Sequence, residues 1–207
     1  MADRKYGAAG GSGSGFAEED ERWFSLTATI EELAGANSQE EVIEILRHST
    51  REVIGAEGIA VVLKDEDKCH YVAEDAKEPL WQGQKFPAAS CVSGWAMQHG
   101  EPAIIADIEA DARVPIEAYR KTFVRSLVMV PIGSPHAFAA LGAYWSTIRV
   151  PRRRDVAMLE ALAKSAATAI ENSRLIAALK KVNEELEARI ARDRAELAKA
   201  REALGRK

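Results

Sequence analysis

From Val156 to Lys207 the chain runs without a proline, and its only glycine there, Gly205, stands near the end. About fifty helical residues at about 1.5 Å each reach roughly 75 Å. One small domain cannot cover that length. The pattern also changes along the segment. Up to Leu175 it is rich in Ala and Leu and can pack on a sheet. Beyond, the apolar positions narrow to a seam of Leu175, Leu179, Val182, Leu186, Ile190, Leu197 and Leu204, spaced 4, 3, 4, 4, 7 and 7. That is a heptad repeat with one slipped step between Leu186 and Ile190, as at a coiled-coil discontinuity. A single solvated helix supported by charge pairs is the competing reading. Leaving several Leu and Ile in water would forfeit several kcal/mol at roughly 25 cal/mol per Å², so the seam predicts a parallel dimer.

The rest of the chain has the size of one ordinary domain. Its 28 basic and 32 acidic residues nearly cancel, which gives no footprint for a nucleic-acid partner. No apolar run approaches the roughly 18 residues of a membrane span, and the first residues lack the apolar stretch of a signal peptide. Cys69 and Cys91 fit no usual zinc spacing, and the four histidines are scattered. We expect a reduced, cytoplasmic protein without a metal site, and no residue pattern names a cofactor.

Residues 1–15, rich in Gly, Ser and Ala, predict a flexible tail. Trp23, Leu26, Ile30 and Leu33 mark a first helix from Phe16 to about Gly35. Ser38 and Glu41 form a capping box that starts a second at Gln39, with Gly55 as its stop. Ile59–Leu63 and Cys69–Ala73 read as a β-hairpin across a polar turn. A weaker strand follows at Lys85–Ala89, then a short helix at Val92–His99 closed by Gly100. Ala103–Ala106 is a strand and Ala118–Phe123 a helix. Ser126–Pro131 and Ala139–Ser146 are two more strands, and Pro151 starts the long helix.

Helices mixed with a mostly antiparallel sheet make an α+β chain. The residues from about Leu26 to Leu175 resemble a GAF domain. The resemblance is carried by EVIEIL (41–46), VSGWAMQHGEPAIIAD (92–107), RSLVMVPI (125–132), LGAY (141–144) and LEALAKSAATAIENSR (159–174). The wording of residues 20–75 and of the Trp95–Gly100 run is similar to GAF domains that precede HWE-type histidine kinases. The resemblance implies a GAF-like six-stranded antiparallel sheet with helices on one face and a ligand pocket on the other, spanning residues 16–175. Residues 176–207 would then be a coiled-coil signalling helix. It also implies a homodimer in which Trp23, Leu26 and Ile30 of the first helix join the seam. The implied activity is a sensory module that binds a small molecule and feeds an output domain such as a kinase.

Known GAF chemistries can be held against the residues. The Asn-Lys pair of cyclic-nucleotide GAF domains is absent from Tyr144–Arg149. Cys69-His70 has the letters of a bilin attachment site, but adjacent strand residues face opposite sides of a sheet. A methionine-sulfoxide-reducing enzyme would use pocket cysteines, and Cys91 lacks the partners of that pattern. Cys91 sits where a helix start would stabilise a thiolate. The resemblance places Trp81, Cys91, Trp95, Tyr119, Phe123 and Trp145 beside the pocket, where aromatics suit a flat ligand. Asp107 could accept a ligand hydrogen bond or cap the next turn. Two other outcomes stay open: a structural dimerisation module without ligand, and a thiol reductase using Cys91.

Overall fold

The computed structural model describes residues 13–205, with side chains from 19 to 197. In chain order the elements are α1 (Gly13–Gly35), α2 (Gln39–Ile54), β1 (Gly58–Asp65), β2 (Lys68–Ala76), β3 (Lys85–Pro87), α3 (Val92–His99), β4 (Ala103–Ile105), α4 (Ile116–Tyr119), β5 (Ser126–Ile132), β6 (Ala139–Trp145) and α5 (Arg153–Gly205). One 3-10 turn, Ala88–Ser90, precedes α3.

Local chemistry sets α2. The Ser38 hydroxyl accepts from the Glu41 amide at 3.1 Å. The Glu41 carboxylate accepts from the Asn37 amide at 2.8 Å, one residue ahead of the usual capping-box donor. At the other end Gly55 turns left-handed, with φ 63°, a conformation costly for any residue with a Cβ.

The six strands run in the order β3-β2-β1-β6-β5-β4, and every neighbouring pair is antiparallel. Alternation along the strands divides the core in two. Ile59, Val61, Val128, Val130 and Leu141 face α1, α2 and α5. Ala60, Val62, Leu127, Met129 and Tyr144 face α3 and the long loops. The three long helices thus share one face of the sheet, as expected of the GAF-like fold. β2 breaks the rule. Val61 pairs with Ala73 while Val62 pairs with Tyr71, which leaves Val72 as an extra residue. This bulge reverses the phase of the strand. Cys69 and Tyr71 point to the loop side, and Ala73 points to the helices.

Several boundaries differ from the sequence reading. α1 begins at Gly13 rather than Phe16; the rest of the expected tail lies outside the described residues. α4 spans Ile116–Tyr119, ahead of the expected Ala118–Phe123, because Pro115 presets the backbone for its first turn. The final helix starts at Arg153, two residues after Pro151. Arg154 in its first turn pairs with Glu19 of α1 at 2.7 Å.

Leu26 is buried within the chain, packed with Leu33 against α2 and α5. It is therefore unavailable to a second copy, a correction to its expected interface role. Ile30 is half-buried against the same core. Trp23, Leu175, Leu179, Val182, Leu186, Ile190 and Leu197 are exposed, each by about half or more. The side chain of Leu204 lies outside the described residues. Among the described residues no helix is long and apolar enough to cross a membrane.

Candidate functional site

The loop side of the sheet carries a cluster of aromatic and thiol side chains. It begins with Glu74 on β2. Its carboxylate accepts the amides of Leu80, Trp81 and Gln82 at 3.0, 2.8 and 2.9 Å. These three bonds fold the β2–β3 loop back over the strand and set Trp81 above Tyr71. The Trp81 indole N–H then donates to the Ala118 carbonyl of α4 at 3.1 Å. Two loops distant in sequence are joined by that bond into a roof.

Beneath it, Trp81 meets Tyr71, Tyr119 and Tyr144 edge-on, with ring centroids 5.5, 4.7 and 5.6 Å away. Edge-to-face contact is the favoured aromatic geometry. Tyr71, Trp81, Phe86, Cys91, Pro115, Ala118 and Tyr119 enclose a cavity of about 10 Å³. That is room for about one water. The aromatic rings themselves fill the rest of the space beneath the roof.

The polar groups here are few. The Tyr71 hydroxyl is 3.3 Å from the Ser93 hydroxyl, which is 3.3 Å from the Cys91 sulfur. Burial pushes the phenols of Tyr71, Tyr119 and Tyr144 well above the ordinary tyrosine range, so they stay neutral at physiological pH. The buried Tyr144 hydroxyl has no hydrogen-bond partner among the described residues.

The two cysteines meet at the same place. Cys69 is the second residue of β2, opposite Phe86 of β3. Cys91 is the residue on which α3 starts. The Cys69 thiol, the Ser93 hydroxyl and the Ser93 and Gly94 amides together outweigh burial and hold the Cys91 thiol below the ordinary cysteine range. The same contact and burial push Cys69 far upward.

Of the expected pocket residues, Trp81, Cys91 and Tyr119 line this cavity together. Trp95 lines an adjoining groove with Cys91, stacked on His99 and under the Arg113 guanidinium. The other three are corrected. Trp145 belongs to the helix-side core and donates its indole N–H to the Gly55 carbonyl, because it follows Tyr144 on β6 and must point the opposite way. Asp107 is held in a turn of its own, accepting the Glu109 amide at 2.9 Å. Phe123 is half-buried against the same cluster, beneath the Lys77 ammonium, but does not line the cavity. Tyr71, Phe86 and Ser93 were missed by the sequence reading. Strand alternation could have found Tyr71, two residues from Cys69. Among the described residues no cluster of His, Cys, Asp and Glu could hold a metal ion.

Comparison with known proteins bears on this arrangement. The GAF domain family model matches residues 36–171. No curated protein matches the sequence. Among solved structures, the GAF domain of an Acinetobacter phosphoenolpyruvate-protein phosphotransferase is similar at a TM-score of 0.65 and 14% identity, covering 76% of this chain and 96% of that one. The free methionine-R-sulfoxide reductase of Neisseria meningitidis, solved with its substrate, has a TM-score of 0.65 and 19% identity, covering 85% and 99%. The chromophore-binding domain of a bacteriophytochrome from R. palustris has a TM-score of 0.64 and 15% identity, covering 76% and 64%. At such identities these likenesses concern the fold. The family match spans most of the chain, and its limits contain the sheet, α2, α3 and the cluster beneath Trp81: the chain belongs to the GAF domain family.

Proposed function

We propose that this chain is the input module of a bacterial signalling protein, with a histidine kinase as its output. GAF domains are a sensory and regulatory fold in signalling proteins, and the known GAF structures that it resembles include a phytochrome's chromophore-binding domain. In this reading a small flat ligand enters beneath Trp81 and Tyr119 by opening the roof, in the cytoplasm. The chain acts as a homodimer joined along α5, with Trp23 and Ile30 of α1 beside the seam.

The observation that carries the reading is the exposed stripe on α5. Leu175, Leu179, Val182, Leu186, Ile190 and Leu197 repeat on a helix whose first half is packed against the sheet. A partner helix of the same kind removes that stripe from water. Signal transfer across the sheet has a short route. Tyr144 touches Trp81 on the ligand side, and its neighbour Trp145 is bonded to the end of α2 on the helix side.

Native mass spectrometry of the full chain tests both parts. The expected result is a dimer, retaining or accepting a small molecule that also raises the unfolding temperature, increasingly so with its concentration. A monomer at micromolar concentration overturns the dimer. A dimer that no candidate ligand stabilises leaves a dimerisation module in place of a sensor.

A further inference from the structure

The last two steps of the α5 seam, Ile190 to Leu197 and Leu197 to Leu204, are full heptads. Each heptad has two positions that face a partner helix, three and four residues apart. The second such position after Ile190 is Asp193. A carboxylate therefore stands within an apolar stripe. Two arginines flank the stripe at that level: Arg189, one residue before Ile190, and Arg194, one residue after Asp193. All three side chains are exposed in the single chain. Arg192 lies away from the stripe, and its guanidinium donates to the Ala188 carbonyl of its own helix at 3.3 Å. The alignment of two such helices decides what Asp193 meets. In antiparallel pairing it lies against the first position of a heptad in the other helix, and those positions are Leu186, Ile190, Leu197 and Leu204. A parallel pair shifted by one heptad sets it against Ala200 or Leu186. Either arrangement puts a carboxylate into an apolar layer, which is costly for an unpaired charge. A parallel pair in register sets Asp193 against Asp193, with Arg194 of each helix beside the Asp193 of the other.

We propose that the seam of α5 is built for a second copy of this chain in parallel and in register, and that a charged layer of Asp193, Arg189 and Arg194 from both copies selects that alignment. The layer rests on the homodimer proposed above and adds what sets its register. Its charges are complementary only as a set. Two carboxylates side by side repel each other. Arg189 of one helix and Arg194 of the other flank the seam as neighbours and would also repel. Together, each carboxylate has Arg194 of the other copy beside it and Arg189 one turn back on its own helix. A polar residue at one core position lowers affinity and fixes register. The apolar steps from Leu175 to Ile190 supply the burial, and Asp193 supplies the choice of partner. A helix that offers only apolar residues at this level would leave the carboxylate without a counter-charge.

The test uses the full chain. Val182 is an exposed seam residue, so in Val182→Cys a parallel, in-register dimer brings the two introduced thiols together. Mild oxidation should give a covalent dimer whose digest contains residue 182 linked to residue 182. Sedimentation equilibrium then probes the charges. Asp193→Arg and Arg194→Asp, each alone, should weaken the dimer about tenfold or more, because each sets like charges against one another. The double variant exchanges the two charges and should recover most of that loss, a coupling that independent sites would not show. Near-ultraviolet circular dichroism should stay that of the wild type, since neither side chain belongs to either core. A wild-type monomer at micromolar concentration would overturn the homodimer and the charged layer with it. A wild-type dimer would leave the homodimer standing and overturn the layer alone in two cases: if Val182→Cys does not cross-link through residue 182, or if the losses of the two single variants add in the double variant.

Discussion

The Asp155 carboxylate accepts from the Arg22 guanidinium at 2.7 Å while only 2% exposed, and so joins the first turn of α5 to α1. Its second oxygen accepts from Arg149, on the loop leaving β6, at 2.9 Å. Arg22 in turn donates to the Val53 and Ile54 carbonyls at 2.8 and 2.6 Å, the free acceptors at the end of α2. One buried carboxylate and one guanidinium hold all three helices on their side of the sheet. Arg22→Ala should cost about 2 kcal/mol, since it leaves the buried Asp155 carboxylate with Arg149 alone and removes the donor to both carbonyls at the end of α2. A urea midpoint unchanged from wild type would show that the three helices are held by packing alone.

The seam on α5 gives a second expectation. Leu186→Glu puts a charge into the stripe without touching either core, because Leu186 is half exposed in the single chain. Sedimentation should show a monomer, and the near-ultraviolet circular dichroism of the GAF domain should persist. A variant that sediments like wild type would place the dimer contact elsewhere.

Glycine substitutions should separate close approach from open space. A Cβ on Gly94 would lie 1.9 Å from the Ala88 carbonyl oxygen, so Gly94→Ala must push α3 away from the turn before it. We expect a loss of about 3 kcal/mol or more, at the upper end of overpacking costs. A Cβ on Gly35 meets nothing within 4 Å. Gly35→Ala should gain about 0.5 kcal/mol by restricting the unfolded chain. Chemical denaturation of the two variants in parallel checks both signs.

The unpartnered Tyr144 hydroxyl predicts an uncommon result for a core substitution. Tyr144→Phe removes a buried polar group that lacks a protein partner, and it should leave stability unchanged or raise it by about 1 kcal/mol. A clear loss would mean that an ordered water or ligand completes the site.

Acid should weaken the end of the central β1–β6 pair, where Glu57 accepts from Ser146. Burial alone would raise the pKa of Glu57, but Lys77 and the amide and hydroxyl of Ser146 outweigh it and hold the value below the ordinary 4.5. A value lower in the folded state stabilises the fold above the ordinary carboxylate range, and that contribution is lost as pH falls through the folded value. Stability measured against pH should fall below about 4.5, and Glu57→Gln should flatten that limb.

Local rules were enough for much of the architecture. Ser38, Glu41 and Gly55 mark α2 because caps act within one turn of the chain. The run from Val156 declares its helix by what it lacks, and the β1–β2 hairpin shows in two apolar runs around a polar turn. The candidate site was legible in part. Trp81, Cys91 and Tyr119 were placed together by resemblance, whereas Trp145 was assigned to the wrong face. Alternation reveals that Tyr144 and Trp145 point opposite ways, but not which side holds the helices. Only the packed sheet decides that, and the bulge at Val72 reverses the phase of β2 with no sequence signal. The bond from Trp81 to Ala118 and the buried pairing of Arg22 with Asp155 join residues far apart in the chain. The sequence by itself determined the elements, since their causes lie between near neighbours. The tertiary structure decided which side chains share a cavity, since that depends on strand register and on which surfaces exclude water together.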